Sequence, residues 1–129
     1  MSRPGRWCAF AAAVAVHLAA LYWPRAPSGG EGLPVDKPVH ALLFGVVLWA
    51  GAGAGLALSW TAGVLAAHSV ISEVVQHVLM AHRSGDPLDT LADLVGLALA
   101  VPLSARRPGT GPDRARAGVV DAEPDAERR

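Results

Sequence analysis

From Pro38 to His82 the chain runs through 45 residues in which Glu73 is the only formal charge, set mostly in Ala, Val, Leu and Gly. One membrane-spanning helix needs about 20 apolar residues, so a run of this length predicts two in succession. Two further apolar stretches flank it, one behind Arg3 and Arg6 (WCAFAAAVAVHLAALYW) and one behind Asp86-Pro87. The expected spans are 7–23, 39–58, 61–81 and 87–103. Ser59-Trp60-Thr61 is the expected break between the middle two, although no charge marks it. At 1.5 Å per residue each span covers about 25 to 30 Å, enough for a bilayer core of about 30 Å. The fold class implied is all-α: a four-helix transmembrane bundle over residues 1–104. The polar segment 105–129, rich in Arg, Asp, Glu, Pro and Gly, has the composition of a disordered cytoplasmic tail.

Composition supports this pattern, with 52% hydrophobic and 17% charged residues in a chain of 129. Six of the eleven Lys and Arg and five of the eleven Asp and Glu fall after residue 104. The first hundred residues therefore lack the polar surface that a soluble domain needs to cover its core. A secretory signal peptide competes for the first segment, but RAPSGG is a poor small-x-small cleavage site and further spans follow. The single cysteine, Cys8, excludes an internal disulfide and a cysteine metal cluster. Arg3, Arg6, Arg106, Arg107, Arg114 and Arg116 lie on one side of the four spans, against Arg25, Lys37 and Arg83 on the other. The excess predicts that both termini are cytoplasmic. Two outward connections result, at 24–37 and 82–86.

The polar residues with a pattern gather near those connections. On the third span Glu73, Gln76, His77 and Met80 follow i, i+3, i+4, i+7 spacing, and Asp86, Asp89, Asp93 and Gly96 repeat it on the fourth. Polar stripes turn inward in a bilayer, because lipid cannot satisfy them. An acidic pocket opening outward is expected, rimmed by Lys37, His40 and Arg83. Helix ends explain part of the set: Asp86 before Pro87 reads as an N-cap, Asp89 falls at the third helical position, and Asp36 with Pro38 repeats the arrangement. Gly51, Gly53, Gly55 and Gly96 suit close helix packing. His17 and His68, isolated on apolar faces, read as core histidines.

The order Asp36-Lys37-x-x-His40, then Glu73-x-x-Gln76, then Arg83-x-x-Asp86-x-x-Asp89-x-x-x-Asp93-x-x-Gly96 resembles the VanZ-like family of small bacterial membrane proteins. The resemblance covers residues 34–100 and departs at Asp93, where the family usually has Asn. It also departs at 59–61, which lacks the basic residues often found there. The resemblance implies a place in the bacterial cell membrane and a link to glycopeptide (teicoplanin) susceptibility, and brings no agreed biochemical activity.

Glu73 and Asp93 remain outside any first or last turn of the expected spans. Counting back from His82 puts Glu73 about 13 Å deep, near mid-bilayer, with Gln76 and Asp93 about 9 to 10 Å deep. A charge at such depth costs roughly 2.5 to 3.5 kcal/mol on insertion scales, so a neighbour is needed, and His17 lies at a matching depth. Three functions follow. In the first, Lys37, His40 and Arg83 meet the phosphate of a lipid-linked cell-wall precursor or similar anionic amphiphile, while Gln76 and the Asp residues bond its polar parts. In the second, Glu73, Asp89, Asp93 and a histidine hold a divalent cation for phosphoryl-lipid hydrolysis or transfer. The chain carries no known membrane-hydrolase element, and the pattern leans away from an enzyme; no catalytic residue and no fixed cofactor are assigned. In the third, the cluster only locks helices in an accessory subunit. Nothing in the charge pattern points to nucleic acid.

Overall fold

A computed structural model describes residues 1–23, 36–80 and 86–106. Four helices account for nearly all of these: α1 (Arg3–Tyr22), α2 (Asp36–Ala54), α3 (Leu58–Leu79) and α4 (Pro87–Ala105). All four are long and apolar enough to cross a membrane, and no strand occurs among the described residues. Arg83 and the segment from residue 107 onward lie outside the described residues.

Local chemistry sets the helix ends. Ser2 caps α1, its Oγ accepting from the Gly5 N–H at 3.4 Å, so the helix begins four residues before the expected Trp7. Helix α4 starts as its sequence predicts: Asp86 accepts from the Leu88 N–H at 2.9 Å, and Pro87 takes the first helical position. Pro102 sits inside α4 without ending it, and the helix continues to Ala105.

The break between α2 and α3 lies at Gly55–Ala57, not at Ser59–Thr61. Gly55 takes φ +97°, and its N–H donates to the Ala52 carbonyl (3.1 Å) while the Leu56 N–H donates to that of Gly51 (3.0 Å). That pair of bonds is a Schellman C-cap, which favours glycine at the left-handed residue. Leu56 also packs where a Gly51 side chain would stand. Ser59 and Trp60 consequently lie inside α3, where the Thr61 Oγ bonds the Ala57 carbonyl at 2.9 Å.

Helix α2 touches each of the other three, and its contact with α4 is the most extensive. The two run parallel, in a register that sets Lys37 beside Asp86 and Asp89, His40 beside Asp93, and Ala41 beside Gly96. Their closeness depends on Gly96, where any Cβ would collide with the Ala41 backbone carbonyl. Leu21, Phe44, Val47, Leu48, Leu65, Leu97 and Ala100 form the apolar core. Outside, the bundle is apolar as well: Leu42, Trp60, Val78, Leu79, Leu91 and Leu99 are all more than half exposed. His17, His40, Ser69, Ser72, Glu73, Gln76, Asp89 and Asp93 are buried within. Polar groups inside and large apolar side chains outside are what a surrounding hydrocarbon solvent selects.

Candidate functional site

Parallel α2 and α4 begin at the same end of the bundle, and α3 ends there, so the polar residues of three helices meet. At the mouth the Lys37 ammonium bridges Asp86 Oδ2 (3.0 Å) and Asp89 Oδ1 (3.3 Å). Side-chain exposure falls steeply inward, from 40% at Lys37 and Asp86 through 7% at Asp89 to none at Asp93. Asp86 stands outside its helix, where the Leu88 N–H and then the Lys37 ammonium hold its carboxyl below the ordinary carboxylate value.

Deeper in, Asp93 Oδ1 lies 3.0 Å from His40 Nδ1, and Asp93 Oδ2 accepts from the Ser69 hydroxyl at 2.9 Å. Both carboxylate oxygens are thus engaged, as burial requires. His40 is 4% exposed and belongs to this inner layer rather than to the expected rim. Its Nε2 faces Asp36 Oδ1 at 4.0 Å, across one helical turn.

Glu73 is placed differently from the sequence expectation. Helix α3 ends at Leu79 rather than near Ala81, which puts Glu73 about 9 Å from its helix end rather than the expected ~13 Å. Its Oε2 accepts from the Asp86 backbone N–H at 2.8 Å. Glu73 therefore does have a helix-end partner, although on a neighbouring helix: it satisfies the chain entering α4, where a negative charge complements the helix dipole. Its Oε1 is buried and has no hydrogen-bond partner among the described residues.

The α3 stripe is rotated relative to expectation. Its buried face is Thr61, Leu65, Ser69, Ser72, Glu73 and Gln76, whereas His77 is exposed and Met80 only half-buried. Four residues at 100° each leave a 40° offset, so spacing from Glu73 alone does not decide between Ser69 and His77. Ser69 is the functional side chain that the charge pattern does not mark; its signal is Ser69 and Ser72 standing one turn before Glu73 and Gln76. Gln76 Nε2 donates to the Leu21 carbonyl at 3.0 Å, tying α3 to the last turn of α1.

His17 points inward but does not neutralise the acids. Its ring packs on Phe44 (4.5 Å between centroids) and His68 (5.3 Å), and both its nitrogens lack partners. With His68, Phe10, Val14, Val64 and Trp60 it lines a separate, largely apolar cavity of about 330 Å³ between α1, α2 and α3. The bond to Asp93 goes to His40, because α2 rather than α1 packs against α4.

Two sets of potential metal ligands share His40. Asp36, His40 and Asp89 form one; His40, Glu73 and Asp93 form the other, and in each set the ligand atoms lie within 4.8 Å of one another. The expected trio of Glu73, Asp89 and Asp93 is not assembled, since Asp89 serves Lys37. Searches of family models, curated proteins and solved structures find no match to this chain.

Proposed function

We propose that the chain is an integral, VanZ-like protein of the bacterial cell membrane, with both termini cytoplasmic. Its polar cluster then opens outward and binds the phosphate-bearing headgroup of a lipid-linked cell-wall precursor or a similar anionic amphiphile. The supporting observation is the exposure gradient from Lys37 and Asp86 to Asp93. The Lys37–Asp86–Asp89 bridge leaves charged groups reachable above a buried polar layer, which suits a headgroup site. An ammonium has three donors, of which Asp86 and Asp89 take two. The third, on a part-exposed side chain, is left for a ligand oxygen. A headgroup at this end lets its hydrocarbon chain lie against the apolar exterior. An effect on glycopeptide susceptibility follows if the bound lipid is a carrier of cell-wall units.

The Gln76–Leu21 and Asp86–Glu73 bonds favour the competing scaffold reading, since both tie helices together. Binding separates the two. In lipid nanodiscs the protein is expected to bind undecaprenyl phosphate saturably and at least about tenfold tighter than undecaprenol, a difference of about 1.4 kcal/mol. Lys37→Ala should remove most of that preference. Equal retention of phosphate and alcohol would leave only the scaffold, and a preference untouched by Lys37→Ala would remove Lys37 from the headgroup site.

A further inference from the structure

We propose that His40, Glu73 and Asp93 form a binding site for a divalent cation of the Mn²⁺ or Zn²⁺ kind, with His40 Nδ1, Glu73 Oε1 and Asp93 Oδ1 as its ligand atoms. The buried cluster carries two carboxylates and no lysine or arginine among the described residues, because Lys37 is engaged above it by Asp86 and Asp89. One divalent ion would neutralise both.

Both carboxylates are already oriented in the manner of metal ligands. Asp93 Oδ2 is held by the Ser69 hydroxyl at 2.9 Å, and Glu73 Oε2 by the Asp86 N–H at 2.8 Å. Glu73 thus has one anchored and one unpartnered oxygen, while the second oxygen of Asp93 faces His40 Nδ1; supporting hydrogen bonds of this kind orient the ligands of metal sites. The second oxygen of Glu73 is the decisive atom, since it is buried and unpartnered in a residue only 8% exposed. An unpaired buried carboxylate oxygen is costly unless something cationic meets it.

His40 Nδ1 and Asp93 Oδ1 are 3.0 Å apart, a hydrogen-bonded contact that an ion ligated by both replaces, with release of any proton between them. The Nε2 of the same ring lies 4.0 Å from Asp36 Oδ1, beyond direct hydrogen-bond reach. One imidazole with two carboxylates selects against Ca²⁺ and Mg²⁺, which prefer all-oxygen sites, and suits Mn²⁺ or Zn²⁺. Three protein ligands leave coordination positions open, and a phosphate oxygen is a suitable occupant. That last link rests on the headgroup reading above; the ligation itself does not. It also resolves the excess of acid over base in a site meant for an anion.

The test uses the full chain in nanodiscs, stripped with chelator and titrated with Mn²⁺ followed by electron paramagnetic resonance, with Zn²⁺ as competitor. One equivalent is expected to bind, and echo-modulation spectra of the parent protein should show one directly ligated imidazole nitrogen. Glu73→Gln and Asp93→Asn should each weaken binding by at least about tenfold. The proposal is overturned if neither ion binds by about 1 mM, if bound Mn²⁺ shows no ligated nitrogen, or if loss follows Asp89→Asn and not Glu73→Gln. The spectrum of the parent decides the matter even if a variant fails to fold. Undecaprenyl phosphate retained equally in chelator would confine the failure to the ion. Ion binding with no lipid binding would confine it to the headgroup reading.

Discussion

Asp93→Ala is expected to lower the unfolding free energy by about 2 to 5 kcal/mol, because it leaves two buried polar groups without their partner at about 1 to 3 kcal/mol each. Asp93 is wholly buried, and both of its oxygens are used, by His40 Nδ1 at 3.0 Å and the Ser69 hydroxyl at 2.9 Å. Truncation strands a buried imidazole and a buried hydroxyl from two different helices, and leaves a void between them. Asp93→Asn should recover most of the loss, to within about 1.5 kcal/mol of the parent. Its amide oxygen accepts from Ser69, while its NH₂ donates to the other tautomer of His40. Thermal unfolding in detergent, followed by helical circular dichroism in excess chelator, measures both without contribution from any bound ion. If alanine and asparagine behaved alike, Asp93 would not be the joint of α2, α3 and α4.

Gly96→Ala should cost up to about 3 kcal/mol, the upper end for overpacking, because a single methyl there meets backbone rather than a movable side chain. The added Cβ collides with the Ala41 carbonyl, while a Cβ at Gly45 would approach the Gly96 carbonyl to 3.1 Å from the other side. Neither backbone can yield without α2 and α4 parting, and the Lys37 and His40 bonds would part with them. Gly63→Ala supplies the comparison, since nothing lies within 4 Å of its added Cβ. There the change should be neutral, or stabilising by up to about 1 kcal/mol through helix propensity. The same detergent melts read the pair, and a Gly96→Ala protein as stable as Gly63→Ala would contradict the α2–α4 register.

The four helices are legible because long apolar runs between Pro, Gly and charged residues allow little else. Their ends are less so. The α2–α3 break carries no charge, and its signal is a single glycine among several in Gly51-Ala-Gly-Ala-Gly55; only backbone bonding tells a left-handed C-cap from a packing glycine. Of the expected α4 stripe Asp89, Asp93 and Gly96 are buried on one face, while Asp86 stands outside the helix as its cap and stays part-exposed. On α3 no such marker exists, and the face is misread by about 40° toward His77. Partner identity is the hardest to read. Depth makes His17 the match for Asp93, but depth says nothing about which helix lies alongside, and the small residues Gly45, Gly96 and Ala100 bring α2 there instead of α1. Glu73 looks anomalous for a related reason, as its helix-end partner belongs to α4.

In the proposed orientation the bundle crosses the membrane with its polar cluster on the outer face. Cysteine labelling tests it most directly, because Cys8 is the only native cysteine. In a Cys8→Ser background, Asp36→Cys places a thiol at the mouth, where the native side chain is 75% exposed, and Arg106→Cys places one at the opposite, exposed end of α4. A membrane-impermeant maleimide added to intact cells should label Asp36→Cys, and should reach Arg106→Cys only after lysis. Labelling of Arg106→Cys in intact cells, with Asp36→Cys silent or equally reactive, would contradict an outward-facing site in a membrane-spanning bundle.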